Sequence, residues 1–273
     1  MHIIIATNQL IIILLSIGLL ISTLEYLKKI KIFAPAGLLS WNVMQMRWEH
    51  SDKKLYYKAF KRLFNEKGLS IIFGIRCFIL IALLFFPIQS FYGWALLLLL
   101  GISLMTSSMI TFYGSDGSDQ MNMLIIITLV LCNYPILTNA KLPLIGLWFI
   151  AAQACLSYTA AGIAKLASAE WRASTAIKDV FSTRTYGSKV VAEVLRKHPF
   201  VNVFLCWNVM IMETLFPICL ILPWNYALPF LVWGFIFHFL TAAIMGLNSF
   251  FWAFISTYPA IYFVNHQNVW HLF

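Results

Sequence analysis

The chain has 273 residues, of which 61% are hydrophobic and 11% are charged, and its mean hydropathy is +0.83. A soluble domain of this size cannot bury so much apolar surface. Long apolar runs indicate membrane-spanning helices, and the short alternating segments of a membrane β-barrel are not seen. The net charge of +9 comes with no nucleic-acid-binding motif, which argues against a nucleic-acid partner.

The first predicted span covers residues 3–24. It lacks a basic start and a small-residue cleavage site, so we expect a retained helix rather than a signal peptide. A basic segment follows. Its apolar residues recur at helical spacing between Trp48 and Phe64, which predicts an amphipathic helix lying on the membrane surface.

Apolar runs of membrane-spanning length fill most of the remaining chain. They lie at residues 69–86, 92–111, 121–137, 143–166, 200–222, 226–246 and 248–264. The predicted fold is therefore an all-α integral membrane protein, a single bundle of about eight transmembrane helices plus the interfacial helix.

Three regions follow from this pattern. Residues 1–68 form an N-terminal span with its basic interfacial segment, residues 69–264 form the transmembrane domain, and residues 265–273 form a short tail.

The basic residues are clustered. Ten of the 19 Lys and Arg lie between Lys28 and Lys67, and seven more lie between Lys165 and Lys197. Because positively charged loops stay on the cytoplasmic side, both clusters are expected there and in contact with the lipid bilayer. This threading predicts an N-terminus outside the cell, with the protein in a plasma membrane such as the bacterial inner membrane.

Three ionisable residues fall deep inside predicted spans: Arg76, Glu213 and His238. A charge at that depth is costly unless it has a partner, so Arg76 and Glu213 are expected to form a structural ion pair inside the bundle. His238 is open to two interpretations. A neutral histidine can be satisfied by a backbone carbonyl, or it can contact a ligand and transfer a proton.

Lys165 stands in the stretch YTAAGIAKLASAEW, Tyr158 to Trp171. From Pro143 to Lys165 a helix extends about 33 Å, so position alone favours an anchor at the membrane surface. Small neighbours such as Gly162 favour instead the close approach of a helix or a ligand, with Tyr158 on the same face. The cysteines lie in apolar runs without a CxxC pair, and the histidines lack ligand spacing, so no metal is implied.

The stretch YTAAGIAKLASAEW resembles the Y-x-x-A-G-x-x-K-L-x-x-x-W signature of the HTTM family, which includes the vitamin K-dependent γ-glutamyl carboxylases. Two weaker matches are FHFLTAAIMGLNSFFWAFISTYPAIYF, which begins at Phe237, and YGSDGSDQMNMLIIITLVL, which begins at Tyr113. The second of these is similar to bacterial members of the family that help to mature a secreted, sporulation-delaying peptide toxin.

The resemblance implies roles for individual residues. Lys165 falls on the lysine proposed to deprotonate reduced vitamin K, and His238 falls on a second histidine linked to carboxylation. Tyr158, Gly162 and Trp171 belong to the same signature and would help to bind the cofactor. Asn122 stands near the position where the carboxylases carry a histidine and would also help to bind the cofactor. The family's large extramembrane region for the substrate propeptide has no counterpart here.

Two functions remain open at this point. The first is a membrane-embedded enzyme that modifies a peptide or protein substrate, using a lysine base and a reduced quinone of the vitamin K type. The second is a noncatalytic accessory protein for the maturation, export or immunity of a secreted peptide toxin. A transporter finds little support, since no inverted repeat is visible.

Overall fold

The structure is a computed structural model, and it describes residues 2–37, 39–48, 60–110, 116–135 and 141–267. These residues form helices and their connections, with no strand among them, which confirms the all-α class. They divide into two compact units, Met1–Pro143 and Leu144–Phe273. Most of the predicted interfacial helix, residues 49–59, lies outside the described residues, and so does the end of the predicted tail, residues 268–273.

The first unit is a set of helices in which neighbours along the chain pack together. Helix α1 (His2–Lys28) packs on α3 (Glu66–Leu83), α3 on α4 (Phe91–Ile110), and α4 on α5 (Gly117–Cys132). The connections from α3 to α4 and from α4 to α5 are short, which favours packing between these neighbours. The helices are α1 (His2–Lys28), α2 (Trp41–Met44), α3 (Glu66–Leu83), α4 (Phe91–Ile110) and α5 (Gly117–Cys132), with 3₁₀ turns at Ile30–Phe33 and Gln45–Trp48.

Side-chain hydrogen bonds link α1 to the end of α5 and cap the first turn of α5. Asn8 Nδ2 in α1 donates to Asn133 Oδ1 just after α5, at 3.0 Å, and both side chains are buried. The Asp116 carboxylate accepts the backbone N–H groups of Ser118 and Asp119 and so begins α5, as expected for an N-cap residue.

The second unit contains three long helices and a group of short ones. The region around residues 164–199, expected to be a basic loop, forms three short helices. The helices are α6 (Lys141–Ala167), α7 (Ala169–Arg172), α8 (Ala176–Phe181), α9 (Lys189–Lys197), α10 (Pro199–Leu215), α11 (Trp224–Met245), α12 (Asn248–Ile255) and α13 (Tyr258–Gln267), with a 3₁₀ turn at Phe216–Leu220.

Five helices among the described residues are long and apolar enough to cross a membrane. This confirms the predicted membrane class, and it confirms the predicted number of about eight spans only in part. The five are His2–Lys28, Phe91–Met109, Lys141–Ala167, Pro199–Leu220 and Trp224–Met245.

The other three predicted spans differ for separate reasons. Helix α3 carries Glu66, Lys67 and Arg76 within its 18 residues. Helix α5 has 16 residues, about 24 Å, which is shorter than a hydrocarbon core of about 30 Å.

The last predicted span, 248–264, is two helices rather than one. The break falls at Ser256 and Thr257, whose buried hydroxyls donate at 2.7 Å to the carbonyls of Ala253 and Phe254. A tight turn precedes this region, because Gly246 ends α11 with a φ of 75°, a conformation that favours glycine.

Candidate functional site: a cavity in the second unit

A cavity of about 470 Å³ lies within the second unit. Its walls come from α6, the short helices that follow it, α10, α11 and α12. Most of its side chains are apolar, and its polar groups are few. The lining residues are Ser157, Tyr158, Ala161, Lys165, Trp171, Ile177, Val180, Phe181, Val191, Leu205, Val209, Glu213, Phe237, His238, Leu240, Thr241, Ile244, Met245, Leu247, Phe250 and Phe254.

Lys165 and Glu213 form an ion pair on the wall of this cavity. Lys165 Nζ lies 2.6 Å from Glu213 Oε2, and the side chains are 21% and 4% exposed. The ammonium also lies over the ring of Trp171, 5.3 Å from its centroid, within the range of a cation–π interaction. The Lys165 charge is therefore directed to a buried carboxylate, which favours a role in the site over the surface anchor that position alone suggests.

A close crossing of two helices brings this pair together. A Cβ atom added to Gly162 would lie 2.5 Å from both the backbone nitrogen and Oγ1 of Thr214. Real side chains do not approach so closely, so α6 and α10 contact each other at this glycine. Gly162 precedes Lys165 by one helical turn, and Thr214 follows Glu213. The predicted cofactor-binding residue Gly162 thus lies at a helix contact and not on the cavity wall.

His238 and Tyr158 lie on the same cavity. His238 is 5% exposed, and its Nε2 has no hydrogen-bond partner among the described residues. Its ring stacks on Phe254, with centroids 4.5 Å apart and an interplanar angle of 16°. Tyr158 stacks on Phe216 at 3.8 Å, and its hydroxyl lies 3.4 Å from that of Tyr258.

Gly234 in α11 makes room for these two tyrosines. A Cβ atom there would overlap the hydroxyl oxygen of Tyr258 and lie 3.0 Å from that of Tyr158. Sequence reasoning missed both Gly234 and Tyr258. An isolated glycine in an apolar helix could have indicated such a contact, although the pattern alone names no partner.

The chain after Lys165 turns back alongside α10. Lys165 contacts Glu213, whereas the carbonyl of Ser174 accepts a hydrogen bond from Asn202 Nδ2 near the start of α10. Asn202 and Glu213 are separated by about 16 Å of helix at 1.5 Å per residue. The segment 166–174 therefore runs antiparallel to α10, and Lys165 lies beside the C-terminal part of that helix.

Local hydrogen bonds hold this returning segment. The Ser168 hydroxyl caps α7 by accepting from the backbone N–H of Trp171. Ser168 Oγ also donates to Glu170 Oε2 at 2.6 Å, and this bond holds the pKa of the exposed Glu170 carboxyl below its ordinary value. Arg172 Nη1 donates to the Leu166 carbonyl at 2.6 Å. The hydrogen bonds of Ser168 and Arg172 thus stabilise the returning segment beyond the end of helix α6.

Two predicted residues, Arg76 and Asn122, belong to the first unit and do not line this cavity. Arg76 is buried, and Nε donates to Ser103 Oγ at 2.8 Å while Nη2 donates to Ser107 Oγ at 2.5 Å. The predicted ion pair between Arg76 and Glu213 is corrected, because Lys165 is the cation on Glu213. Asn122 is buried on α5.

The sequence did contain a signal for the true partner. Glu213 is the only acidic residue after Glu193, so it is the one carboxylate that α10 and the later helices can offer to a cation. Among the described residues, no group of three or more His, Cys, Asp or Glu side chains could hold a metal ion. The polar chemistry of the cavity therefore lies with Lys165, Glu213, His238 and Tyr158.

No family model, no curated protein and no solved structure matches this chain.

Proposed function

We propose that the second unit binds a hydrophobic molecule that carries a weakly acidic hydroxyl group, and that a reduced quinone is the ligand class. The observation that carries this proposal is the Lys165–Glu213 pair beside His238 on the wall of an otherwise apolar cavity. A volume of about 300–1,000 Å³ is typical of small-molecule sites, which combine apolar walls with a few polar groups that fix orientation.

The polar groups available to a ligand are restricted. The hydroxyls of Ser157 and Thr241 also line the cavity, but their protons go to the carbonyls of Gln153 and His238 at 2.9 Å, so toward a ligand they can only accept. The other polar residues of the cavity are Tyr158, Lys165, Glu213 and His238, whose Nε2 has no hydrogen-bond partner among the described residues. A ligand with oxygens at two places on an apolar ring system could hydrogen-bond to these polar groups. A wholly apolar ligand would leave the buried histidine nitrogen without a hydrogen bond, which is unfavourable.

The HTTM resemblance extends this proposal to an enzyme. When bound, a reduced quinone would supply, with oxygen, the strong base that carboxylation of a peptide glutamate by CO2 requires. The chain's own residues would bind the ring in the cavity, direct its hydroxyl toward Lys165 and Glu213, and exclude bulk water. The proposed activity is that of a γ-glutamyl carboxylase-like lyase acting on a peptide or protein.

A noncatalytic accessory role in peptide-toxin maturation, export or immunity is the second candidate. It is favoured by the closed Lys165–Glu213 pair, in which the lysine is already occupied by a carboxylate. In this case the pair holds α6 against α10, and Lys165→Arg would be tolerated.

Turnover by the purified full-length protein in lipid tests the enzyme. The assay supplies reduced vitamin K, oxygen, bicarbonate and glutamate-containing peptides, and mass spectrometry detects epoxide and carboxylated peptide. We expect both products from the native protein and neither from Lys165→Ala. Absence of epoxide, under conditions in which a known carboxylase works, would falsify the enzymatic proposal.

Filling the cavity tests ligand binding separately. Ala161 lines the cavity, whereas its neighbour Ala160 is exposed and does not. Quenching of tryptophan fluorescence by a quinol reports binding, because Trp171 lines the cavity. We expect Ala161→Leu to weaken binding at least about ten-fold through overpacking, and Ala160→Leu to leave it unchanged. Equal binding by both variants would contradict the proposed site.

A further inference from the structure

The Lys165–Glu213 pair determines which residue can accept a proton. The amine is held as a cation by two contacts, the carboxylate at 2.6 Å and the face of Trp171 at 5.3 Å. An ammonium has no lone pair and cannot act as a base, whereas the carboxylate that faces it can.

Charge conservation in the cavity points to the same residue. When a hydroxyl of the ligand gives its proton to Glu213, an O–H bond breaks, a new O–H bond forms on the carboxylate, and the negative charge moves to the ligand oxygen. Lys165 remains positive throughout, so the cavity holds one cation and one anion before and after the transfer. A neutral lysine acting as the base would create a new cation–anion pair beside the carboxylate, which is unfavourable in an apolar environment.

We infer that Glu213 is the proton acceptor of this site, and that Lys165 stays charged and binds the oxyanion formed on the ligand. His238 Nε2, which lies on the same cavity and has no hydrogen-bond partner within the described part of the chain, binds the second oxygen. The substrate class is therefore a neutral, weakly acidic phenol or hydroquinone. This inference rests on the proposed function and goes beyond it by assigning the base.

A coloured phenol tests the assignment in the full-length protein in lipid. The probe is an alkylated nitrophenol, whose visible absorbance differs between phenol and phenolate, and its O-methyl ether is the matched ligand without an acidic proton. Absorbance reports the ionisation of the probe, difference infrared spectroscopy reports protonated carboxylic acid, and an indicator dye reports protons released to the buffer.

In the native protein we expect the bound probe to be a phenolate, with a new carboxylic-acid band and no proton released. The ether should bind without that band. Glu213→Gln should lose the band and release about one proton for each phenolate formed, and Lys165→Met should bind the probe as neutral phenol. Loss of the charged contact should reduce the preference of Lys165→Met for phenol over ether by about ten-fold or more.

The matched control is Glu193→Gln, because Glu193 forms an exposed ion pair with Lys197 at 2.8 Å. This substitution should leave every signal unchanged. A phenolate that forms without the carboxylic-acid band overturns the inference, and so does a Glu213→Gln variant that forms phenolate without releasing a proton. Binding of the probe only as neutral phenol overturns the inference and leaves ligand binding intact. If neither probe nor ether binds, the proposed function fails together with the inference.

Discussion

Single glycines set the distances between the helices around the cavity. Gly162 allows the backbone of α10 to approach α6, and Gly234 allows two tyrosine hydroxyls to pack against α11. The ion pair of the site depends on such a glycine, because Lys165 contacts Glu213 one helical turn from the close approach at Gly162. Charge and spacing alone would not position the pair.

Gly162→Ala should therefore destabilise the protein. The added Cβ would lie 2.5 Å from the backbone nitrogen of Thr214, and separating the helices should cost about 1–3 kcal/mol. The matched control is Gly74→Ala, because Gly74 is a helical glycine with nothing within 4 Å of the added Cβ. Its substitution should be neutral or stabilise by up to about 1 kcal/mol. The midpoint of thermal unfolding in detergent, at a fixed scan rate, measures both, and similar midpoints would contradict the proposed crossing.

The returning segment 166–174 folds back along α10, and Lys165, which precedes it, lies beside Glu213 on the cavity wall. It ends at Ser174, which is buried and has a φ of 58°, a left-handed conformation that is unfavourable for most residues with a side chain. Asn202 Nδ2 holds the carbonyl of this residue. The cluster of basic residues in the sequence predicted a loop here, but not its direction along α10.

Substitutions at Ser174 should follow backbone conformation. Ser174→Gly should keep or raise the unfolding midpoint, because glycine adopts positive φ without strain. Ser174→Val should lower stability by about 1–2 kcal/mol, since a β-branched residue is disfavoured in this region. Ser182→Val is the control at a φ of −83° and should have little effect. Equal unfolding midpoints for Ser174→Val and Ser182→Val would contradict the left-handed backbone conformation at Ser174.

At the scale of the whole molecule, five helices of the described residues can cross a membrane and the basic residues lie in two clusters. The predicted orientation places the segment between α8 and α9 in the cytoplasm. The short connection before α11, at the other end of α10, is then expected outside. The two connections belong to the same unit and differ in charge, which makes them a matched pair.

Cysteine labelling checks this orientation. In a protein whose five native cysteines have been replaced, Thr185→Cys should react with a membrane-impermeant maleimide in inverted vesicles and not in intact cells. Asn225→Cys should show the opposite pattern. Both positions are exposed, so neither side chain is shielded by other parts of the protein, and each should react from one side of the membrane. Labelling of Thr185→Cys from outside would reverse the predicted topology.

The all-α membrane class could be predicted from the sequence, because apolar runs and clustered positive charge are local properties that need no contact map. The sequence also indicated Tyr158, Lys165, Trp171 and His238, which the structure places on one cavity. The number of spans was less predictable. Apolar composition does not reveal a break such as Ser256–Thr257, where hydroxyls satisfy the local backbone.

By itself, the sequence determined the helical class, the basic clusters and the identity of most polar residues in the site. Tertiary structure decided which of them meet. Glu213 pairs with Lys165 rather than with Arg76, and Asn122 belongs to the other unit. The physical reason is that a partner is chosen by helix crossings and by the path of a connecting segment. Both depend on long-range contacts, such as Gly162 with Thr214, that no local pattern in the chain encodes.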